Sequence, residues 1–194
     1  MNKRLLVAAL SCAFAIPAVA ALKAGDAAPP FDAQASFAGK ATDYSLKQAL
    51  ARGPVVVYFY PSAYTSGCNV QAHAFAEKYD KFAAAGASII GVSLDSIARL
   101  NEFSADPEYC NSKFPVASDA DGKIAKSYDL TVKEGRAGQK DTRGADIGHD
   151  FAERTTFIVS PEGKVVATVG GMSPTANVEK ALEAVQAYAI SRGK

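Results

Sequence analysis

Cys68 stands at the junction between a strand pattern and a helix pattern. The run Val55–Tyr60 is apolar and β-prone and ends at Pro61, which is typical of a strand buried on both faces. Cys68 falls in the first turn of the helix predicted over Ser66–Ala85. Free N–H groups and the positive end of the helix dipole favour a thiolate there. A thiolate is the form of cysteine that reacts with peroxides, and its first product is a sulfenic acid.

Three other residues are suited to the same reaction. Thr65 has a hydroxyl that can accept one hydrogen bond and donate another, so it can orient a peroxide beside Cys68. Gly67 allows the backbone to approach a substrate closely. Cleavage of an O–O bond puts negative charge on the leaving oxygen and needs fixed donors, a task for which arginine is well suited. Arg154, at the start of a predicted strand, is the candidate.

Each of these residues also has an ordinary explanation when it is considered alone. Cys68 would then be a buried, inert cysteine, and Thr65 would be a helix-start residue. Arg154 would be a surface side chain at a strand edge. Their joint arrangement is what favours nucleophilic chemistry at Cys68.

The elements that would position these residues alternate along the chain. After an extended entry at 21–32, strands are predicted at 55–60, 88–93, 114–117, 155–159 and 164–169, and helices at 45–51, 66–85, 96–104, 122–128 and 176–191. The last two strands flank a Ser-Pro-Glu-Gly turn and predict an antiparallel hairpin. The order predicts an α/β protein of thioredoxin-like fold, with a central mixed β-sheet flanked by helices. Residues 132–153 have no clear period, and we expect a functional or mobile loop that covers the pocket or receives the electron donor.

The first twenty residues have the order of a secretory signal peptide. Lys3 and Arg4 precede the apolar run Leu5–Ile16, and Ala18-Val19-Ala20 is a small-residue cleavage site. The run is too short for a spanning helix, which needs about 20 residues, and the residues before Cys12 match a lipoprotein signal poorly. We therefore predict a signal peptide at 1–20 and a thioredoxin-like domain at 21–194. The mature form would be periplasmic or secreted and free of the membrane.

Composition and charge narrow the class of protein further. Hydrophobic residues make up 48% and charged residues 21% of the 194 residues, as in globular proteins. The formal charge is +1, and loss of Lys3 and Arg4 with the leader would make it −1 (1 − 2). Such a chain offers no field to attract nucleic acid or an anionic membrane. Cys12 would also leave, so that Cys68 and Cys110 remain, and a structural disulfide between them is the simplest alternative to catalysis.

Pro61, Thr65 and Cys68 match the P-x-x-x-T-x-x-C active-site motif of peroxiredoxins. The sequence resembles the bacterioferritin comigratory protein branch of that family over nearly the whole predicted mature chain. Other similar segments are Phe59-Tyr60-Pro61, Gly91-Val92-Ser93-Leu94-Asp95, Phe114-Pro115 with Ser118-Asp119, and Arg154-Thr155-Thr156-Phe157-Ile158-Val159. The resemblance implies that Cys68 is the peroxidatic cysteine and that Pro61, Thr65 and Arg154 complete its site. It also implies reduction of hydrogen peroxide and organic hydroperoxides by a thiol donor, a thioredoxin-like protein or a small thiol, without metal, haem or another cofactor.

The sequence departs from the family pattern at two positions. Gln71 occupies the place of a glutamate three residues after the peroxidatic cysteine, which keeps a hydrogen bond but not a charge. His73 occupies the place of the second cysteine that many members of the branch carry. We predict that His73 lies on the helix surface or is partly buried, and that His149 in the long loop is solvated.

Cys110 is the candidate resolving cysteine. Some members of the branch resolve through a cysteine in the helix after the second strand, and Cys110 lies just beyond that predicted helix. Its neighbours Pro107 and Asn111 predict an exposed segment that can unwind. A one-cysteine cycle with an outside thiol and an intermolecular disulfide are the alternatives, because spacing does not fix connectivity. The branch implies a monomer, with a dimer as the alternative.

Two other functions fit a thioredoxin-like fold. A disulfide oxidoreductase needs a C-x-x-C motif, and Thr65 stands where its first cysteine would be. A copper-binding protein would use soft thiolates with a histidine, and Cys68, Cys110 and His149 would have to converge.

Overall fold

The computed structural model of the chain describes residues 20–193. Apart from Ala20, the predicted signal peptide lies outside the described residues. The strands are β1 (Asp32–Phe37), β2 (Lys40–Ser45), β3 (Val55–Phe59), β4 (Ser88–Ser93), β5 (Val116–Ser118), β6 (Val132–Lys133), β7 (Phe151–Ala152), β8 (Thr155–Val159) and β9 (Val165–Gly170). The helices are α1 (Leu46–Leu50), α2 (Ser66–Ala84), α3 (Ile97–Ala105), α4 (Lys123–Ser127) and α5 (Pro174–Ser191). Within residues 20–193, the helices include none that is long and apolar enough to cross a bilayer.

A seven-stranded mixed sheet forms the centre, in the order β2-β1-β5-β4-β3-β8-β9. β3 pairs in parallel with β4, and β4 with β5, whereas β8 runs antiparallel to both β3 and β9. The predicted mixed sheet and the predicted β8–β9 hairpin are confirmed. Because β3 and β4 are parallel, their carboxyl ends meet at one edge of the sheet.

Both faces of β3 are buried, as its apolar sequence predicts. Val56 and Tyr58 face a core that α2, α3 and α5 cover. Val55, Val57 and Phe59 face a second core that includes residues of α1 and α4. This alternation follows from the two-residue period of a strand. The sheet is therefore a rigid platform for the β3–α2 junction that carries Cys68.

The hairpin of β1 and β2 is an element that sequence analysis did not predict. Its two-residue turn has positive φ at both Ala38 (49°) and Gly39 (80°), the geometry that matches the twist of a hairpin. β2 is one of the two edge strands of the sheet and is mostly exposed along its length. An exposed, polar edge strand lacks the alternation that identifies a half-buried strand.

The two ends of the segment 132–153 pair with each other as short strands. β6 and β7 pair with each other, Val132 opposite Ala152 and Lys133 opposite Phe151. A bridge between Lys140 and Asp146 closes the middle of the segment. Two-residue strands have no period that a sequence can show, which is why the sequence predicts only a loop here. We call residues 134–150 the long loop below.

Candidate active site

Cys68 lies at the third position of α2, just beyond the carboxyl end of β3. Thr65 is the N-cap residue, and its carbonyl accepts the N–H of Cys68 at 2.9 Å and that of Asn69 at 2.8 Å. The Cys68 side chain belongs to the core cluster and is only 2% exposed. A helix start against a sheet edge therefore holds this sulfur beneath the surface, at the end of the helix where negative charge is favoured.

The pairing of β8 with β3 brings Arg154 to the same place. Phe59, the last residue of β3, lies opposite Thr155, the first residue of β8. Arg154 immediately precedes Thr155, and its Nη2 lies 3.3 Å from Cys68 Sγ. The guanidinium also donates through Nη1 to the side-chain oxygen of Gln71. A charged donor pair is thus fixed beside the sulfur.

Gly67 makes room for that guanidinium. A Cβ atom at position 67 would lie 3.1 Å from Arg154 Nη2 and 3.4 Å from the Pro174 side chain. Gly67 is predicted to allow close approach of a substrate, and the neighbour that the structure places there is Arg154. A Cβ atom at position 67 would therefore require the guanidinium to shift by a few tenths of an ångström.

Thr65 and Pro61 form the turn that leads into α2. The Thr65 hydroxyl donates to the Ser62 carbonyl at 2.9 Å, which leaves its lone pairs available to accept from a substrate. Pro61 has no N–H to donate, so it ends the strand hydrogen bonds that reach Tyr60. The catalytic roles of both residues stay predictions.

A buried carboxylate stabilises this turn through hydrogen bonds. Asp95, just after β4, is fully buried and accepts the Ala63 N–H at 2.7 Å and the Ser62 hydroxyl at 2.9 Å. Arg99 Nε lies 2.9 Å from the same carboxylate. Burial would raise the pKa of Asp95, but its hydrogen bonds, including one from His149, hold that pKa below its usual value. Asp95 therefore stays charged and fixes the turn.

The long loop also contacts the turn that leads into α2. The N–H and the hydroxyl of Thr142 both donate to the Tyr64 carbonyl, at 2.9 and 2.8 Å. The Arg143 guanidinium lies 3.3 Å from the centre of the Tyr64 ring. Tyr64 has φ of 60°, a strained backbone conformation for a bulky residue that persists only when its surroundings hold it. The long loop thus contacts the active-site turn, although its sequence showed only its length.

His149 is partly buried and engaged in this network, so the prediction that it is solvated was wrong. Its side chain is 16% exposed, with Nε2 2.8 Å from Asp95 Oδ1 and Nδ1 2.7 Å from the Asp150 carbonyl. Both neighbouring atoms accept hydrogen bonds, so satisfying both requires a proton on each ring nitrogen. Burial opposes this charge, but the hydrogen bond and the charge of Asp95 outweigh it and raise the pKa of His149 above 6.5.

This ion pair predicts a pH-dependent stability. Because the pKa of His149 is higher in the folded chain than the unfolded value near 6.5, its contribution is complete below that pH and is lost as pH rises through the folded pKa. We expect urea unfolding under reducing conditions to give a smaller free energy at about pH 8 than at about pH 6. The His149→Gln variant should lose most of this difference. His73→Gln, which changes an exposed histidine, is the control and should keep it, and an equal decline in all three proteins would contradict the ion pair.

Cys110 differs from its prediction in one respect. Pro107 and Asn111 lie on the surface as expected, but the Cys110 side chain is fully buried in the core cluster that also holds Tyr58 and Phe103. The chain turns the thiol inward even though its sequence neighbours are polar. Burial, and then the charge of Asp106, raises the pKa of this thiol well above its usual value. The two thiols are not joined in this structure.

The two histidines bear on the alternative of a copper site. His73 is exposed on α2, as predicted, and its Nδ1 lies 2.9 Å from the Glu108 carbonyl. Both ring nitrogens of His149 are engaged by Asp95 and Asp150 rather than by a thiol. In the described part of the chain, no group of three or more His, Cys, Asp or Glu side chains is placed to hold a metal ion. The copper alternative therefore has no observation in its favour.

The sequence matches known proteins over most of its length. The model of the AhpC/TSA family matches residues 24–168. Peroxiredoxin Bcp of Xanthomonas campestris pv. campestris is 33% identical over 84% of this chain and 93% of its own length. Peroxiredoxin Bcp of Escherichia coli strain K12 is 33% identical over 74% of this chain and 83% of its own length.

Solved structures agree with these sequence matches. The crystal structure of Peroxidoxin BcpB from Mycobacterium tuberculosis has a TM-score of 0.70 at 30% identity and covers 86% of this chain and 97% of its own. The bacterioferritin comigratory protein of Xanthomonas campestris has a TM-score of 0.65 at 30% identity, covering 82% of this chain and 92% of its own. The predicted thioredoxin-like fold is thereby confirmed. On both sequence and structure, the chain belongs to the AhpC/TSA family and is a peroxiredoxin, a thiol peroxidase.

Proposed function

We propose that this chain reduces hydrogen peroxide and organic hydroperoxides at Cys68, with electrons from an external thiol. The observation that carries the proposal is the Arg154 guanidinium, 3.3 Å from the sulfur at a helix start. The Xanthomonas campestris relative is described by its alkyl peroxide reduction activity, which supports the inclusion of organic hydroperoxides.

The reaction at Cys68 uses the groups already described. The thiolate attacks one peroxide oxygen, so that an S–O bond forms while the O–O bond breaks. Sulfur is oxidised to a sulfenic acid, and the leaving hydroxide or alkoxide takes up a proton to become water or alcohol. Arg154 offers its charge and N–H donors to the negative charge that develops on oxygen, and the Thr65 hydroxyl accepts from the peroxide O–H.

A multiple-turnover assay tests this function. A small amount of the protein, given an excess of dithiothreitol and either hydrogen peroxide or cumene hydroperoxide, should consume many equivalents of peroxide per chain. The Cys68→Ser variant is the control. Equal consumption of peroxide by this variant and by the wild type would refute a thiol peroxidase acting through Cys68.

Cys110 is the resolving cysteine in this proposal. Its thiolate attacks the sulfur of the Cys68 sulfenic acid, and an S–S bond forms while the S–O bond breaks. The hydroxide that leaves takes up a proton from the solvent and becomes water. Burial keeps the Cys110 thiol protonated by raising its pKa, so the attack requires residues around Cys110 to leave the core first. Asn111 and Ser112, with φ of 49° and 53°, form a tight turn directly after Cys110. The exposed contact between His73 and the Glu108 carbonyl is one of the contacts that would have to break.

The Cys110→Ser variant separates the two steps of the cycle. We expect Cys68 to be oxidised by peroxide at a rate within about twofold of the wild type, because Cys110 takes no part in the first step. The intrachain disulfide should not form, and the sulfenic acid should persist until an outside thiol reduces it. Intact mass and non-reducing electrophoresis report both results. An intrachain peroxide-induced species in this variant would eliminate Cys110 as the resolving residue and favour a one-cysteine cycle.

The remaining features of the cycle follow from the family and the leader sequence. A thioredoxin-like protein or a small thiol would reduce the disulfide, and the chain would act as a monomer, with a dimer as the alternative.

We also propose that residues 1–20 direct export to the periplasm or the exterior. N-terminal sequencing of protein recovered from an osmotic-shock fraction should then begin at Ala21, and protein that begins at Met1 would contradict export.

A further inference from the structure

The orientation of Arg154 depends on a buried chain of amides. The guanidinium approaches Cys68 through Nη2 and is fixed on its other side because Nη1 donates to Gln71 Oε1. Gln71 Nε2 donates in turn to Asn177 Oδ1 at 2.9 Å. Asn177 lies in the first turn of α5, and both amide side chains are fully buried. The two amides connect α5 to the reacting sulfur through Arg154.

The other hydrogen-bond partners of Asn177 fix the direction of every hydrogen bond in this series of amides. Asn177 Nδ2 donates to the Val169 carbonyl at 2.9 Å, and the Thr156 hydroxyl donates to Asn177 Oδ1 at 2.6 Å. A carbonyl can only accept a hydrogen bond. If the Asn177 amide were flipped, its oxygen would face the Val169 carbonyl oxygen, and two acceptors would lie against each other. Gln71 must then offer a donor to Asn177 and an acceptor to Arg154, which an amide does and an ionised carboxylate does not.

This arrangement explains why glutamine stands at position 71. An ionised glutamate accepts but does not donate, so its carboxylate would meet Asn177 Oδ1 oxygen to oxygen in a buried place. In the described residues, no carboxylate lies within ion-pair distance of Arg154. Gln71 therefore orients the guanidinium without neutralising it, and the whole positive charge is available to the sulfur and the peroxide.

We propose that Asn177 is a positioning residue for peroxide reduction, acting through Gln71 on Arg154. The inference rests on the proposed function of Cys68. The Asn177 side chain hydrogen-bonds to Gln71, Thr156 and Val169 and not to the sulfur. It orients the Gln71 amide, which in turn orients the guanidinium. Thr156 contributes the second hydrogen bond that holds Asn177.

The Asn177→Leu variant removes the last amide of this hydrogen-bonded series while keeping a side chain of similar volume. We expect the second-order rate of Cys68 oxidation by hydrogen peroxide to fall about tenfold. Alkylation of Cys68 by iodoacetamide does not need N–H donors from Arg154, so its rate should change by less than about twofold. Gln186→Leu, which removes an exposed amide from the same helix, is the control and should leave both rates unchanged.

The Asn177→Asp variant gives a readout that a merely structural role would not change. A protonated carboxyl can donate to the Val169 carbonyl and accept from Gln71, as asparagine does, whereas an ionised one opposes that carbonyl. The peroxide rate relative to wild type should therefore be near one at low pH and fall as pH rises. A pH-independent ratio, or unchanged peroxide reactivity of Asn177→Leu, would overturn the proposal. If the wild-type Cys68 is not oxidised by peroxide at all, the proposed function itself fails instead.

Discussion

The Cys68→Ser variant should lose thiol-dependent peroxide consumption down to the uncatalysed background, a drop of at least about a thousandfold. A serine hydroxyl is not ionised near neutral pH and has no counterpart of the sulfenic acid, so neither the attack nor the later reduction can take place. The assay follows peroxide loss with dithiothreitol as the electron donor. The substitution is nearly isosteric at a site that is 2% exposed, so the fold should survive.

The matched control for this variant is Cys110→Ser, which removes the other thiol of the described chain. It should retain oxidation of Cys68, and urea unfolding of both variants checks that the fold is intact. Undiminished activity of Cys68→Ser would transfer the chemistry to another group and remove the basis of the site.

The Arg154→Met variant should slow oxidation of Cys68 by hydrogen peroxide by about a hundredfold to a thousandfold, the usual cost of removing a fixed donor from a developing oxyanion. Methionine preserves the length of the side chain but has neither the charge nor the N–H donors. Both the contact with Cys68 and the contact with Gln71 are lost. Stopped-flow measurement of the second-order rate tests the prediction.

Two further substitutions calibrate the result. Arg154→Lys keeps a charge but offers one nitrogen where two are used, so its rate should fall between those of wild type and Arg154→Met. Arg136→Met removes an exposed arginine of the long loop and should leave the rate unchanged. A rate for Arg154→Met close to that of Arg136→Met would show that the guanidinium has no role in the reaction.

The parts of the fold with strong local patterns could be predicted. β3 is a continuous apolar run, and α2 shows one apolar face, so the junction that carries Cys68 followed from the sequence. The start of β8 was predicted, and its pairing with the end of β3 is what brings the candidate Arg154 beside Cys68. The catalytic role of Arg154 stays a prediction. The β1–β2 hairpin was missed because β2 is an exposed edge strand without alternation.

The network around the site could not be predicted, because its members are distant in the sequence. His149 meets Asp95 across 54 residues, and Gln71 meets Asn177 across 106. Nothing local to these positions indicates a partner. Cys110 is a related case, since its polar neighbours indicated exposure while the tertiary fold turns the thiol into an aromatic core.

Intact mass after one equivalent of hydrogen peroxide tests the central claim most directly. The Cys110→Ser chain should gain the mass of one oxygen atom, located by peptide analysis on Cys68, and the wild-type chain should lose two hydrogen atoms as the disulfide forms. Cys68→Ser should show neither change. A Cys68 thiol that remains free, with oxygen found only on an exposed side chain such as Met172, would contradict the account.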